Sequence, residues 1–453
     1  AKIQGCTIMI ESAQLLIQES LKEQKMLYAQ DRRHSIYKLL DYYAGDNTAQ
    51  YIEDRFSADA FREIPVSEFN VTRRMIDRMS RIYTLGATRN VNDIYSEMIH
   101  KKAHKMKHME KMTRLIGTIA TQVVFKQSPE PHFNYNPVYY FDAYFDQDPF
   151  VPYAITYPMV QNIHDISDSS KLNYCYWDDM NYMVYDEDGN VIFEQAHNYG
   201  IIPFVFTHRE HHLNEFFVTG AYDICAANEQ INILLTEAAL GMRFQMFGQY
   251  VIEGMYEEEK IMRAGSSEIM VIPEPAKMDI KSPQANVRDA IDLVKAILDL
   301  TAQNNHLWIT FAEDGKSDRP SSGIALKIKD LERFEDYQDD VELWEMYERE
   351  LYKVEKVIAK ANGINLPEEM GIKFNEPDYP MSAQDQIAVD SFMLDNNLTT
   401  QKDLLLKYNK HLTEQEADKL INENKEVNGQ GKQEEGQERS VFNRLLDQTP
   451  EAE

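Results

Sequence analysis

The sequence predicts an α+β fold that is predominantly helical. Three observations carry that expectation. Apolar residues recur at spacings of three and four in several segments before residue 126 and again beyond residue 222, the period of helices with one buried face. Between them, from Ser128, lies an aromatic, Pro-punctuated block whose short runs and Asp188-Gly189 pair suit strands and a hairpin. The chain has 453 residues, 43% of them apolar, with 26 Tyr and 20 Phe, enough for two or three domains and a sizeable core.

Taken in order, Thr7 to Asp41 reads as helices and Gly45 in "DYYAGDN" ends them. "NVTRRMIDRMSRIYTLG" predicts a helix with Asn70 as its N-cap. Ile94 to about Phe125 is expected to form one long helix, basic in its first half, "HKKAHKMKHMEKMTRL". A β-rich module of roughly a hundred residues follows, with a hairpin turn at Asp188-Gly189 or Gly189-Asn190. Helix resumes near Tyr222, where Ile224, Ile231, Leu234, Ala238 and Met242 share one stripe. A small α/β insertion runs from Tyr250 to Pro283. After it, Val287, Ile291, Val294 and Leu298 repeat at four-three-four along a second helix. The two helices are expected to form an antiparallel pair capped by the insertion. A loop then leads into a long helix from Ser322 to about Ala361, capped by Ser321 or Ser322, acidic in its middle ("ERFEDYQDDVELWEMYERE") and closed by Gly363. An extended piece, "EEMGIKFNEPDYP", precedes a last helical region, and the charged tail "EVNGQGKQEEGQERS" is expected to be mobile.

Composition excludes several functions. Net charge is −28, so a groove-reading DNA binder, which works by neutralising phosphates, is not expected. No apolar run reaches 18 residues, so no membrane span is expected. The opening "AKIQGCTIMIESAQ" lacks the charged-then-apolar order of a secretory leader. Cys6, Cys175 and Cys225 form neither a zinc spacing nor a disulfide framework, which fits assembly in a reducing cytoplasm.

The chemical motifs are weak. Gly315-Lys316-Ser317 ends like a phosphate-binding loop, but Thr310 stands where the first glycine belongs, and Pro320 stands where a helix should already run. "HREHH" (His208, His211, His212) reads as a polar loop rather than a metal site. His100, His104 and His108 line one helix face that could hold a metal or an anion, and a polar face is favoured. Five lysines between Lys101 and Lys111 make a basic patch, better explained as a solvated or inter-subunit face that pairs with acidic neighbours than as a nucleic-acid contact. "YDEDGN" has Val191 where a calcium loop needs the glycine of its sharp turn, and is read as a hairpin turn. Neither a G-x-S-x-G nor a Cys–His pair occurs in recognisable context, so no catalytic residue, metal or cofactor is expected.

The order of parts is more informative. Several stretches match one family in kind: "YYAGDN" with "NVTRRMIDRMSRIYTLG", "HNYGIIPFVFTHRE", "AYDICAANEQINILL", "PSSGIALKIKDLERF", "DNNLTTQKDLLLKY" and "LTEQEADKLINEN". In this layout the chain resembles the portal (head–tail connector) proteins of tailed bacteriophages. The resemblance covers nearly the whole chain, and its residue-level motifs are loose. It implies a wing over 1–221, stem helices over 222–247 and 285–306, a clip over 248–284 and a tunnel loop over 307–320. A tunnel and wing helix with its return strand would span 321–380, and a crown with a mobile acidic tail 381–453.

By the same resemblance the chain is a non-enzymatic subunit of a homo-oligomeric ring, typically of twelve copies, at one capsid vertex. Double-stranded DNA would pass through it during packaging and ejection. The implied partners are a terminase motor, a head–tail adaptor, and the major capsid and scaffolding proteins, with assembly in the host bacterial cytoplasm and residence in the virion. Trp308, Phe311, Asp314, Gly315, Lys316, Asp318 and Arg319 would then face the DNA from the tunnel loop, and the two apolar stripes would pack the stem. An acidic lining would keep a duplex carrying one charge per roughly 1.7 Å centred without trapping it. The alternative is another ring-forming head–tail adaptor without a DNA-gating loop. A packaging ATPase is disfavoured by the broken nucleotide loop, and a scaffold without a DNA role is the remaining class.

Overall fold

A computed structural model of the chain describes residues 15, 27–53, 55–56, 66–159, 173–186, 188–211, 215–247, 249–253, 277–281, 287–307, 331–375, 383–409 and 416–424. Among the described residues helices predominate over strands and every strand pairing is antiparallel, which is compatible with the α+β expectation. The chain divides into two compact units: Ala1–Gly315 with Asp330–Pro377, and Lys316–Lys329 with Asp378–Glu453.

The first unit opens with α1 (Leu27–Ala44), which Gly45 ends at φ +81 with its amide donating to Asp41 O at 2.8 Å. A single turn, α2 (Gln50–Glu53), follows. Asn70 caps α3 (Val71–Met79) by accepting from Arg73 N at 2.9 Å, as the sequence suggests. The helix does not continue to Gly86. Ser80 is extended, and α4 (Ile82–Leu85) starts afresh because the amides of Ile82 and Tyr83 donate to the buried carboxylate of Glu110, at 2.9 and 3.2 Å.

The long helix expected over 94–125 is likewise divided. After β1 (Ala87–Asn90) come α5 (Asp93–Met98) and α6 (Lys102–Ile116), and then a strand, β2 (Thr118–Lys126). Gly117 makes the break at φ +99, a conformation that favours glycine. The β-branched run "TIATQVV" then prefers a pleated, half-buried surface. A Cβ on Gly117 would lie 2.0 Å from Val218 O, and one on Gly220 would lie 2.4 Å from Leu115 O, so the two glycines let backbone pass against backbone.

The strands extend the β module back to Thr118, ten residues before its aromatic texture begins. They are β3 (His132–Val138), β4 (Asp142–Phe145), β5 (Pro152–Pro158), β6 (Tyr174–Trp177), β7 (Asn181–Tyr185), β8 (Val191–Ala196) and β9 (Phe204–His208). One sheet is ordered β3-β2-β9 and the other is the meander β4-β5-β6-β7-β8. The β7–β8 turn carries Gly189 at φ +83, and the Asp186 carboxylate accepts from the amides of Asp188 and Asn190 at 3.0 and 2.8 Å.

Next come α7 (Tyr222–Phe247), the paired strands β10 (Gln249–Glu253) and β11 (Lys277–Lys281), and α8 (Val287–Asn304). Helix α8 packs on α7, and Asn305 Nδ2 donates to Asp223 Oδ2 at 3.0 Å, tying the end of one to the start of the other as an antiparallel pair requires. The longest helix, α9 (Leu331–Ala361), is closed by Gly363 at φ +83, and β12 (Gly371–Phe374) returns to pair with β1. Its stripe of Trp344, Tyr347, Leu351, Tyr352 and Ile358 shares one buried cluster with Met106, Met109, Met112 and Leu115 of α6.

The second unit contains α10 (Ala383–Asp395), α11 (Gln401–Tyr408) and a helical stretch over 416–424. Thr400 and Asp403 form a capping box at the start of α11, and Lys402 pairs with Asp418 at 2.8 Å.

Candidate functional site

The two apolar stripes of the helix pair are only partly internal. Ile224 and Ile231 are fully buried and Val294 nearly so, while Leu234 and Leu298 pack at the edge of the core. Ala238 and Val287 are half-buried. Ile291 is 42% exposed, and Leu293, Leu300 and Met242 also stand outside. The pair therefore carries apolar side chains on its outer surface as well as its inner one. Trp308, Phe311, Asp314, Gly315, Lys316, Asp318 and Arg319 lie outside the described residues.

The inner face of α7 is also polar in a regular way. Asn228 Oδ1 accepts from Val71 N and Thr72 N, Asn232 Oδ1 from Phe69 N at 2.8 Å, and Thr236 Oγ1 from Ser67 N at 3.0 Å. Residues four apart on a helix follow one another up one face. The amides of Ser67, Phe69 and Val71 point to one side of the chain, as alternate residues of an extended segment do. The helix thus presents an edge of acceptors to the segment that leads into α3.

The chain's most concentrated charge chemistry is buried. Glu348 and Glu355 are inaccessible to solvent, seven residues apart on the apolar stripe of α9, and Lys102 of α6 lies between them, also inaccessible. Lys102 Nζ is 3.2 Å from Glu348 Oε2 and 2.8 Å from Glu355 Oε1. Arg89 of β1 grips both oxygens of Glu348, and the Tyr83 hydroxyl donates to it at 2.8 Å. Glu355 accepts from the hydroxyls of Tyr95 and Tyr135, the former at 2.6 Å. Two cations meet two anions, and every carboxylate oxygen has a donor. Burial alone would raise the Glu348 carboxyl, but the Lys102 charge and the Arg89 hydrogen bonds hold it down at about 2.

This network balances itself and touches solvent only at the edge of Arg89, so it has the character of a structural tie rather than a reacting centre. The acidic middle of the long helix is therefore not one exposed face. Glu348 and Glu355 are core, Asp340 pairs with Arg114 and Asp336 with His306, while Glu335, Asp339 and Glu342 are exposed. Sequence reading missed this arrangement, although a signal was present: two glutamates sit in register with Trp344, Leu351 and Ile358.

The Lys-rich helix follows its bland reading in part. Lys102 is the buried cation, and Lys111 pairs with Asp77 at 2.5 Å. His108 bonds the Tyr139 hydroxyl at 2.8 Å, and the His100 ring lies 5.7 Å from that of His132. Of "HREHH", His208 is buried at the end of β9 with Nδ1 3.0 Å from Thr118 Oγ1, His211 is exposed, and His212 lies outside the described residues. No group of three potential metal ligands occurs among the described residues. Burial raises the thiols of Cys175 and Cys225, the latter to about 12, so neither is a ready nucleophile. A cleft of about 920 Å³ opens between the five-stranded sheet and α9, walled by Phe145, Tyr153, Phe206, Phe216 and Tyr347 with Lys353 among its charged lining residues. No described helix is long and apolar enough to cross a membrane.

Among known proteins, no family model and no curated sequence matches the chain.

Proposed function

We propose that the chain is a subunit of a portal-type ring that conducts double-stranded DNA at one vertex of a tailed-bacteriophage capsid and makes no chemical bonds itself. The observation that carries the reading is the antiparallel helix pair α7–α8, ending in the β10–β11 strands and bearing Met242, Ile291, Leu293 and Leu300 on its outside. Apolar surface of that kind marks an interaction site, and the flanks of neighbouring copies in a ring would cover it. The succession of helical base, strand module, helix pair and long helix adds support. A packaging motor, a head–tail adaptor, and capsid and scaffolding proteins are the partners this reading entails. Its acidic lining is narrower than composition suggests, because Glu348 and Glu355 are buried within the subunit.

The test is the native particle. Mass measurement under native conditions, with electron micrographs viewed down the particle axis, is expected to give a closed ring of about twelve copies around an open centre. Purified material that stays monomeric at micromolar concentration, or that turns over ATP unaided, overturns the reading.

A further inference from the structure

We propose that neighbouring copies meet through a charged contact, in which the basic stripe of α6 on one copy faces the acidic stripe of α9 on the next. The inference rests on the ring reading above and names the two surfaces that join.

On α6, Lys101, His104 and His108 are exposed and Lys105 is half-buried, at spacings that place all four on one face. None of Lys101, Lys105 and Lys107 forms an ion pair among the described residues. Lys38, Lys102 and Lys111, by contrast, are each paired within the subunit. On α9, Glu335, Asp339 and Glu342 are exposed at spacings of four and three, again one face, and again without an ion pair among the described residues. Their neighbours Asp336 and Asp340 are already taken by His306 and Arg114. Unsatisfied charge of each sign is thus collected on a separate helix.

The dimensions agree. Each stripe spans eight residues, seven steps or about 10 Å of helix at 1.5 Å per residue, so the two match in length over two turns. Electrostatics supplies the need. Copies that each carry −28 repel when packed, and contacts of opposite sign offset that locally. The two surfaces also differ, so the contact is head-to-tail, the kind that generates rings. A polyanion is a poorer partner for the basic stripe. Exposed Glu97 and Glu130 lie close in sequence to His100 and His132, whose rings meet at its N-terminal end.

Charge reversal on the full chain tests this. Lys101→Glu with Lys105→Glu, and separately Asp339→Lys with Glu342→Lys, are each expected to raise at least tenfold the concentration at which half the chain is in rings. Combining all four is expected to bring that concentration back towards wild type. Thermal unfolding of each variant confirms an intact subunit, since the altered residues sit at the surface. Rings that form at the wild-type concentration in both double variants overturn the inference and leave the ring reading standing. So does a lysine variant that assembles normally but loses affinity for a short DNA duplex. A wild-type chain that forms no ring removes the reading itself, and the inference with it.

Discussion

Lys102 shows how far one side chain's role depends on what packs around it. Its Nζ is the only described cation in contact with both Glu348 and Glu355, since Arg89 reaches Glu348 alone. Lys102→Met keeps the volume and removes the charge, leaving Glu355 with two tyrosine hydroxyls. Uncompensated buried charge costs about 3–5 kcal/mol, and urea unfolding should show a loss of that size. Lys101→Met, at the exposed neighbouring position, should stay within about 0.5 kcal/mol of wild type.

Two carboxyls also set opposite pH dependences. Burial raises Glu110 from its ordinary 4.5 to about 7 despite the amides of Ile82 and Tyr83, so the fold favours its protonated form. That contribution is complete below pH 4.5 and is lost as pH rises through 7, at up to about 1.4 kcal/mol per pH unit. Glu348, held near 2, contributes in the other direction: fully above pH 4.5, and progressively less as pH falls towards 2. Stability measured at pH 5 and 7.5 should therefore fall with pH, and Glu110→Gln should reduce that fall. The sequence offered little here. Lys102 lies in a lysine-rich run that reads as a surface, and which lysine turns inward depends on the partner helix more than two hundred residues away.

At the scale of elements, the sequence was most legible where a local device acts. Asn70, Gly45, Gly189 and Gly363 each do what their residue type suggests, because caps and turns are decided within a few residues. It misled where a distant group intervenes. The helix after Asn70 stops at Ser80 because Glu110 captures the next amides. The 94–125 segment turns to strand at Gly117, where Gly220 permits close approach and β3 and β9 supply pairing on both sides. The acceptor edge of α7 was unreadable for the same reason, since Asn228, Asn232 and Thr236 look like ordinary helix-surface residues. Asn228→Ala strands the amides of Val71 and Thr72 in a buried site, which costs about 1–3 kcal/mol. Hydrogen exchange should then quicken at Val71 and Thr72 while the amides of β2 remain protected.

At the scale of the whole molecule, the proposed ring gives the apolar residues outside α7–α8 and the charge stripes on α6 and α9 a part in assembly rather than in folding of the subunit. Ile291→Asp with Leu300→Asp should leave the unfolding temperature within a few degrees, because both side chains are exposed on the subunit surface, and should shift native mass towards single subunits. A loss of secondary structure instead would place those residues in the subunit's own interior. The portal resemblance rests on an order of parts rather than on residue motifs, and the loop residues it assigns to a channel lie outside the described residues.

Lys102, Glu348 and Glu355 are sealed from solvent and Arg89, whose side chain is 6% exposed, closes the quartet at zero net charge, whereas the stripes proposed to join copies face solvent. Mobile ions screen exposed charges within roughly 8 Å at physiological ionic strength and about 3 Å at 1 M, but cannot enter a dry interior. Molar sodium chloride should accordingly part the copies while each retains its near-ultraviolet dichroism, and dialysis should restore the assembly.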